Sequence, residues 1–399
     1  MDRESIRYNL IQSYKAVRGY TEILCQPLKV EDFTVQAMDD VSPPKWHLGH
    51  VTWFFEKMVL QPFSAGYQVF NPHYNYLFNS YYESIGDRQP RPHRGLLFRP
   101  ELGEIKSYRA YVDRFILELI ESVAPEVLEQ IGPIIEIGMA HEEQHQELFL
   151  TDTKYNFFSN PLLPTYSDSF SELPSSNRED THMIKEGIYE IGYDQDGFSY
   201  DNESPRHKVY LHGFEIEKSL VTNGEYREFI EEGGYSNFTY WLSEGWAAIH
   251  KQGLKHPLYW LPTEHGYEHF TLNGVAPLDP TAPVSHLSYF EAAAFAAYRG
   301  CRLPTEAEWE VACSQLKGEG DFFGRVWQWT SSSYEGYPGY EAFQGALSEY
   351  NGKFMCGQYV LRGSSYLTSR GHSRSSYRNF FYPKDRWQVS GLRLIKGRT

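Results

Sequence analysis

Cysteine is scarce in this chain. There are four in 399 residues, Cys25, Cys301, Cys313 and Cys356, and no CxxC pair. That excludes a disulfide scaffold and points to a reducing, cytoplasmic setting. Long apolar runs are missing too: nothing approaches the roughly 20 residues that span a bilayer, so a membrane is not an expected partner. Basic residues are in deficit, 37 against 52 acidic, for a net charge of −15. Nucleic acid and anionic lipid are therefore not expected partners either. The first twenty residues hold no apolar core and no small-residue cleavage signal, and read as mature protein. No regular repeat suggests a solenoid or propeller. Aromatic residues, by contrast, are abundant: 31 Tyr, 25 Phe and 9 Trp, 16% of the chain. The length fits two domains or three, and the sequence leaves room for an oligomer.

Residues 1–160 read mainly as helix. Helical spacing is seen from Arg3 to Val17, from about Gly49 to Leu60, and from Ser107 to Val123, where Tyr111, Phe115, Leu119 and Ile120 form a stripe. Pro125 caps or breaks the third segment, and Pro133 opens a fourth that carries His141 and His145. Four amphipathic helices predict a bundle. The loop of about residues 61–104 is long enough to need a reason, and lining an active site is the usual one. Residues 161–186, rich in Pro, Ser and acid, read as a linker. From residue 187 to 399 short strands (GIYEIG, HKVYLHGFEIE) alternate with irregular stretches and helices over Asn223–Glu232, Tyr289–Arg299 and Thr305–Cys313. Asn223 and Thr305 are the expected N-caps, with Thr305 and Glu308 at capping-box spacing. This predicts an irregular mixed α/β domain.

The strongest chemical signal is His141-Glu-Glu-Gln-His145. Histidines four apart on a helix share one face, a geometry that suits one metal ion or simply a satisfied core pair. The helix is apolar up to Met139 and then turns abruptly polar, and coordination would compensate that burial. A second signal, Trp46-His-Leu-Gly-His50, opens another helix of the bundle, where either His47 or His50 could supply a third imidazole. An all-nitrogen site suits zinc or iron(II). The same residues also spell HExxH, the zinc-peptidase pattern with Glu142 as general base, although no zincin extension follows.

HLGHxxWFFE followed by HEExHQE resembles the ergothioneine-biosynthesis sulfoxide synthases, the EgtB family. The second half resembles the formylglycine-generating enzymes through Arg302-Leu-Pro-Thr-Glu-Ala-Glu-Trp-Glu310, Val326-Trp-Gln-Trp-Thr330, Leu361-Arg-Gly-Ser364, Ser376-Tyr-Arg-Asn379 and Gly391-Leu-Arg-Leu394. The resemblance covers nearly the whole chain. It implies a DinB-like four-helix bundle followed by a C-type-lectin-like α/β domain of the formylglycine-generating-enzyme type, with the active site between them. It places iron(II) on His50, His141 and His145 and leaves His47 as a structural or supporting residue. The implied substrates are hercynine (N-alpha-trimethylhistidine), cysteine or gamma-glutamylcysteine, and dioxygen, joined into a C–S bond with S-oxygenation. Ovothiol-type enzymes, which act on histidine, are the nearest alternative.

The resemblance also distributes roles. The pair Tyr81–Tyr82 matches the branch that carries its proton or hydrogen donor in the first domain. Arg91 and Arg94 match the carboxylate site of the thiol substrate, and Gln144 matches a residue that hydrogen-bonds the substrate imidazole. Asn379, Phe380 and Phe381 fall where mycobacterial-type members read Asn-Trp-Asp. Phe381 departs from the pattern by losing the carboxylate, which moves cation recognition to aromatic faces and favours use of both thiols. No paired cysteine arrangement accompanies the C-terminal motifs. The second domain is therefore expected to act as a scaffold, with RLPTEAEWE and VWQWT as fold determinants.

Overall fold

A computed structural model describes residues 3–168, 170, 173, 180–317 and 319–397. The chain divides into two compact units, Met1–Tyr166 and Ser167–Thr399. Of the expected linker, residues 169, 171, 172 and 174–179 lie outside the described residues. Strand begins within its remainder, at Thr181, ahead of the expected start at 187. Among the described residues no helix is long and apolar enough to cross a membrane.

The first unit is built on four long helices: α1 (Arg3–Cys25), α2 (Pro44–Phe55), α3 (Leu102–Ser122) and α4 (Pro125–Phe158). Each begins earlier or runs further than its sequence signal. α1 continues eight residues past Val17, because Arg18, Thr21, Leu24 and Cys25 are buried and extend the stripe of Leu10 and Tyr14. α2 starts at Pro44, whose missing N–H costs nothing in the first turn. α4 starts at Pro125 and runs straight through Pro133. That proline forfeits one helical hydrogen bond, but Leu128, Ile131 and Ile135 around it are buried and hold the helix together. The buried stripe of α3 is Tyr108, Val112, Ile116 and Leu119 rather than the one centred on Tyr111 and Phe115. Those two rings pack instead against Tyr67, with centroids 5.9 and 5.1 Å away.

α2 packs against both α3 and α4 and continues as a π-helical turn, Glu56–Leu60. Such a turn is uncommon and tends to sit near function. Here it buries Glu56, whose carboxylate accepts from the Tyr67 hydroxyl (2.6 Å), the Tyr108 hydroxyl (2.7 Å) and the Phe70 amide (3.1 Å). This clamp anchors the start of the long loop. The loop is itself structured, with a short helix at Tyr74–Phe78 and 3-10 turns at Glu83–Ile85 and Arg91–Leu96.

The second unit contains strands β1 (Thr181–Ile184), β2 (Gly187–Ile191), β3 (His207–Leu211), β4 (Phe214–Glu217), β5 (Trp260–Thr263), β6 (Gly266–Thr271), β7 (Gly274–Pro277), β8 (Cys301–Arg302), β9 (Trp327–Ser333), β10 (Tyr359–Gly363), β11 (Asn379–Phe381), β12 (Ser390–Gly391) and β13 (Ile395–Lys396). They form sheets ordered β1-β4-β13-β8, β11-β10-β9-β12, β5-β6-β7 and β2-β3. Helices α5 (Asn223–Glu231), α6 (Ser243–Gln252), α7 (Tyr289–Tyr298) and α8 (Glu306–Leu316) accompany them. The N-cap of α5 is Thr222, not Asn223, because the Thr222 hydroxyl accepts from the Glu225 amide. Thr305 caps α8 as its spacing predicts.

The two C-terminal motifs are committed to structure. In RLPTEAEWE, Arg302 pairs bidentately with Glu308 (2.7 and 2.6 Å), Glu306 accepts from Arg378 (2.8 and 3.0 Å) and Glu310 pairs with Arg362. Trp309 sits in the core and donates to Gln328 (2.7 Å). In VWQWT, Trp329 is buried and donates to the Leu287 carbonyl (2.9 Å).

Candidate metal centre

Two glycines set close approaches to α2, one from α4 and one from the Tyr74–Phe78 helix. A Cβ on Gly138 would stand 2.5 Å from the Phe55 ring and 3.0 Å from the Phe54 ring. One on Gly49 would stand 2.3 Å from the Phe78 ring. With both positions bare, α2 seats against α4 and the Tyr74–Phe78 helix seats against α2. His50 from α2 then meets His141 and His145 one turn apart on α4.

The three imidazoles form a nearly equilateral triangle. Ring centroids are 4.8 Å apart for His50–His141, 4.7 Å for His50–His145 and 4.6 Å for His141–His145. One nitrogen from each lies within 4.8 Å of the other two. His50 Nε2 and His141 Nε2 are 3.1 Å apart. Two nitrogens bound to one ion at about 2.1 Å would stand roughly 3.0–3.4 Å apart for right-angle to tetrahedral geometry, so the His50–His141 pair is spaced for a single ion and His145 lies within reach of it. Burial pushes all three imidazoles toward the neutral, ligating form: His141 is lowered to about 3, and His50 and His145 well below the ordinary histidine value, with mutual repulsion adding to the effect. His50 and His141 are buried and His145 is partly exposed.

The surroundings orient these rings. The His50 Nδ1–H donates to the Phe78 carbonyl (2.6 Å), which leaves Nε2 as the lone pair. Trp46 stacks on His50 (4.5 Å, 13°) and Trp53 stacks on it as well (5.8 Å, 16°). His47 is not in the triangle. It touches His145 Nδ1 (2.8 Å) through its own Nδ1 and the Asp152 carboxylate (3.0 Å) through Nε2.

Glu142 is engaged by other partners. Its carboxylate takes bonds from Arg18 (2.8 Å), Arg109 (2.6 Å) and the Thr21 hydroxyl (2.6 Å). A carboxylate committed to two guanidinium groups and held low by them is a poor general base, which weighs against the HExxH peptidase reading.

The other predicted residues fall as follows. Tyr81 and Tyr82 do not diverge as neighbours usually do. Their rings stack (4.6 Å, 27°), and the hydroxyls are 3.4 Å apart. Tyr82 is fully buried and lies 5.7 Å from Trp53, while Tyr81 is partly exposed. Arg94 is buried, with its guanidinium 3.3 Å from the Trp46 ring centroid. It donates to Ser42 Oγ (2.9 Å) and Ser80 Oγ (3.0 Å). Arg91 stays on the surface and donates to the Asp40 carbonyl. Gln144 is partly exposed between the two α4 histidines.

In the second unit, Asn379, Phe380 and Phe381 make up β11. Phe380 stacks on Tyr334 (4.1 Å, 13°), Phe381 meets Trp387 edge-on (5.6 Å), and the Asn379 side chain accepts from the Phe380 amide (2.9 Å). Sequence reasoning missed Asp152, Phe78 and the ring faces of Trp46 and Trp53. Only Asp152 carried a readable signal, as an acid seven residues, two helical turns, beyond His145 on a buried helix.

Residues 13–149 match the DinB superfamily, and residues 166–320 and 317–398 match the sulfatase-modifying factor enzyme 1-like domain. A hercynine oxygenase of Mycolicibacterium smegmatis is 29% identical over 411 residues, covering 89% of this chain and 91% of that protein. The hercynine oxygenase of Mycobacterium tuberculosis is 28% identical with the same coverage. Ergothioneine biosynthesis protein 1 of Schizosaccharomyces pombe is 26% identical over 268 residues, covering 59% of this chain and 31% of that protein. The chain belongs to the EgtB family of ergothioneine-biosynthesis oxygenases. As an EgtB-family enzyme it carries its converging histidines wholly within the DinB unit.

Proposed function

We propose that this chain is an iron(II)- and dioxygen-dependent sulfoxide synthase. It joins the sulfur of cysteine or gamma-glutamylcysteine to the imidazole of hercynine with S-oxygenation, in the cytoplasm. The observation that carries this reading is the triangle of His50, His141 and His145, in a chain whose relatives are named hercynine oxygenases. The electrons balance without a further reductant. One C–H and one S–H bond are lost, one C–S and one S–O bond form, and the second oxygen atom leaves as water.

Bound iron(II) would supply open coordination positions where thiolate and dioxygen meet. The three imidazoles hold the ion and bring no negative charge, so the anionic donor is left to the thiol substrate. The buried Arg94 guanidinium, fixed between Trp46 and two serine hydroxyls, is the anion receptor for that substrate's carboxylate. Arg91, on the surface, is a secondary electrostatic contributor. The Gln144 amide donates to the hercynine ring. Tyr82, buried two rings from His50 through Trp53, is the proton donor, and Tyr81 is its hydrogen-bonded partner. Phe380 and Phe381 offer aromatic faces to the trimethylammonium group, and Asn379 offers an amide.

The test is incubation of anaerobically iron-loaded protein with dioxygen, each thiol, and either hercynine or histidine, read by mass spectrometry and oxygen uptake. A sulfoxide product from hercynine that disappears in His141→Ala is the expected outcome. Product from histidine alone would reassign the enzyme to ovothiol-type chemistry. An inert, iron-replete protein would refute the reading.

A further inference from the structure

The histidine left out of the triangle has a defined partner on each side. Asp152 Oδ2 accepts from the Ser42 amide at 2.8 Å and faces His47 Nε2 at 3.0 Å. Asp152 and His47 are buried, at 2% and 4% exposure. A carboxylate only accepts, so His47 carries its proton on Nε2. The other nitrogen of a neutral imidazole is then an acceptor. His47 Nδ1 lies 2.8 Å from His145 Nδ1, so the proton between them belongs to His145. With Nδ1 of His145 protonated and engaged, its Nε2 is the lone pair.

We propose that Asp152 and His47 are positioning residues of the metal centre: a two-step relay, carboxylate to imidazole to imidazole, that fixes the tautomer and ring orientation of His145. This rests on the metal-centre reading above. The usual arrangement has a carboxylate or carbonyl bonded directly to the ligand histidine. His50 follows that pattern through the Phe78 carbonyl. For His145 a second imidazole is interposed. This explains why the motif reads HxxH although only its second histidine joins the triangle. Residue 47 lies three positions before His50 on the same helix, so one turn of α2 delivers a ligand to the ion and a supporting ring to another ligand. It also gives Asp152, two turns beyond His145 on α4, a role besides pinning the chain at Ser42.

Two measurements test this on the full-length protein. In the first, histidine-selective 15N–1H correlation spectra of the metal-free protein are assigned through single-histidine variants. The expected result is Nε2–H for His47 and Nδ1–H for His145. A His145 that carries its proton on Nε2 overturns the relay, whether or not the protein proves to be a sulfoxide synthase. In the second, anaerobic Co(II) and Fe(II) titrations compare the parent with His47→Leu, His47→Asn and His50→Ala, with melting of the metal-free proteins as the folding control. His47→Leu is expected to weaken binding about 10–100-fold and to shift the Co(II) d–d spectrum. His47→Asn, whose amide oxygen can still accept from His145, should retain most of the affinity. Equal losses in both His47 variants, or no loss in His47→Leu, would overturn the positioning role. Unchanged binding in His50→Ala would instead refute the metal centre itself. If His47→Leu does not fold, the spectra and His47→Asn decide.

Discussion

Replacing Glu142 with glutamine separates the two readings of the HEEQH run. Three donors converge on the carboxylate: Arg18, Arg109 and Thr21, all within 2.8 Å. Burial alone would push this carboxyl up. Arg109, then Arg18, and the hydrogen bonds overcome that and bring it down to about 2. A fall from 4.5 to about 2 corresponds to roughly 3 kcal/mol of stability. Glu142 is fully buried, so solvent does not screen this away. Removing one partner from a buried ion pair costs about 3–5 kcal/mol, which agrees. The sign is that of a depressed carboxylate: the contribution is complete above about pH 4.5 and is lost as pH falls toward 2. Glu142→Gln should therefore lower the melting transition of the first unit by about 6–12 °C at neutral pH, followed by circular dichroism. It should also remove the part of the parent's acid destabilisation that falls between those two values. Metal affinity should stay within a few-fold of the parent, because the carboxylate faces the arginines. A variant that melts like the parent while losing a metal-dependent hydrolytic activity would refute this reasoning and restore the peptidase reading.

Gly49→Ala would drive a Cβ to 2.3 Å from Phe78. Since the Phe78 carbonyl holds His50, the variant should lose about 1–3 kcal/mol of stability and bind metal measurably more weakly in an equilibrium titration. Tyr82→Phe should lower sulfoxide formation about 100-fold with little change in metal affinity, and Tyr81→Phe should do much less; equal effects would count against the assignment of the buried phenol. Arg94→Lys loses the planar stack on Trp46 and the forked donors. KM for the thiol should rise about tenfold, with KM for hercynine unchanged.

The helical first half and the pairing of His141 with His145 were legible because they rest on period and spacing, i,i+4 on one helix; spacing left His47 and His50 equivalent in the HxxH of the second helix, and only the family resemblance put His50 with the pair. Helix limits were less legible. α4 crosses Pro133 because burial of its neighbours outweighs a local breaker, and α3 turns a different stripe inward because the Glu56 clamp brings Tyr67 over Tyr111 and Phe115. Arg91 and Arg94 looked equivalent in RQPRPHRG, yet the 3-10 turn buries only Arg94. Adjacent side chains on an extended chain point apart, but Tyr82 sits at a turn entry with ψ near 93°, and the Tyr81 and Tyr82 rings stack. The support of His145 by Asp152 through His47 joins α2 to α4 across 105 residues, a distance no local pattern spans.

The second unit shows why a domain match and an activity must be argued separately. It matches the sulfatase-modifying factor enzyme 1-like domain over most of its length, and that match by itself assigns no chemistry to its cysteines. Here Cys313 is buried and pushed up to about 12, and Cys301 is raised as well, first by burial in each case. Such thiols stay protonated at neutral pH and are poor nucleophiles and ligands. The first unit has the opposite character: its imidazoles are shifted the other way, toward the unprotonated state a metal requires. Burial quiets Cys313 and Cys301 and readies His50, His141 and His145, because a thiol becomes reactive by gaining charge and an imidazole by losing it; Cys356, the remaining cysteine of the second unit, is exposed. The buried thiols of the α/β unit are therefore ill suited to act as nucleophiles or ligands, whereas the buried imidazoles of the helical unit are suited to hold a metal.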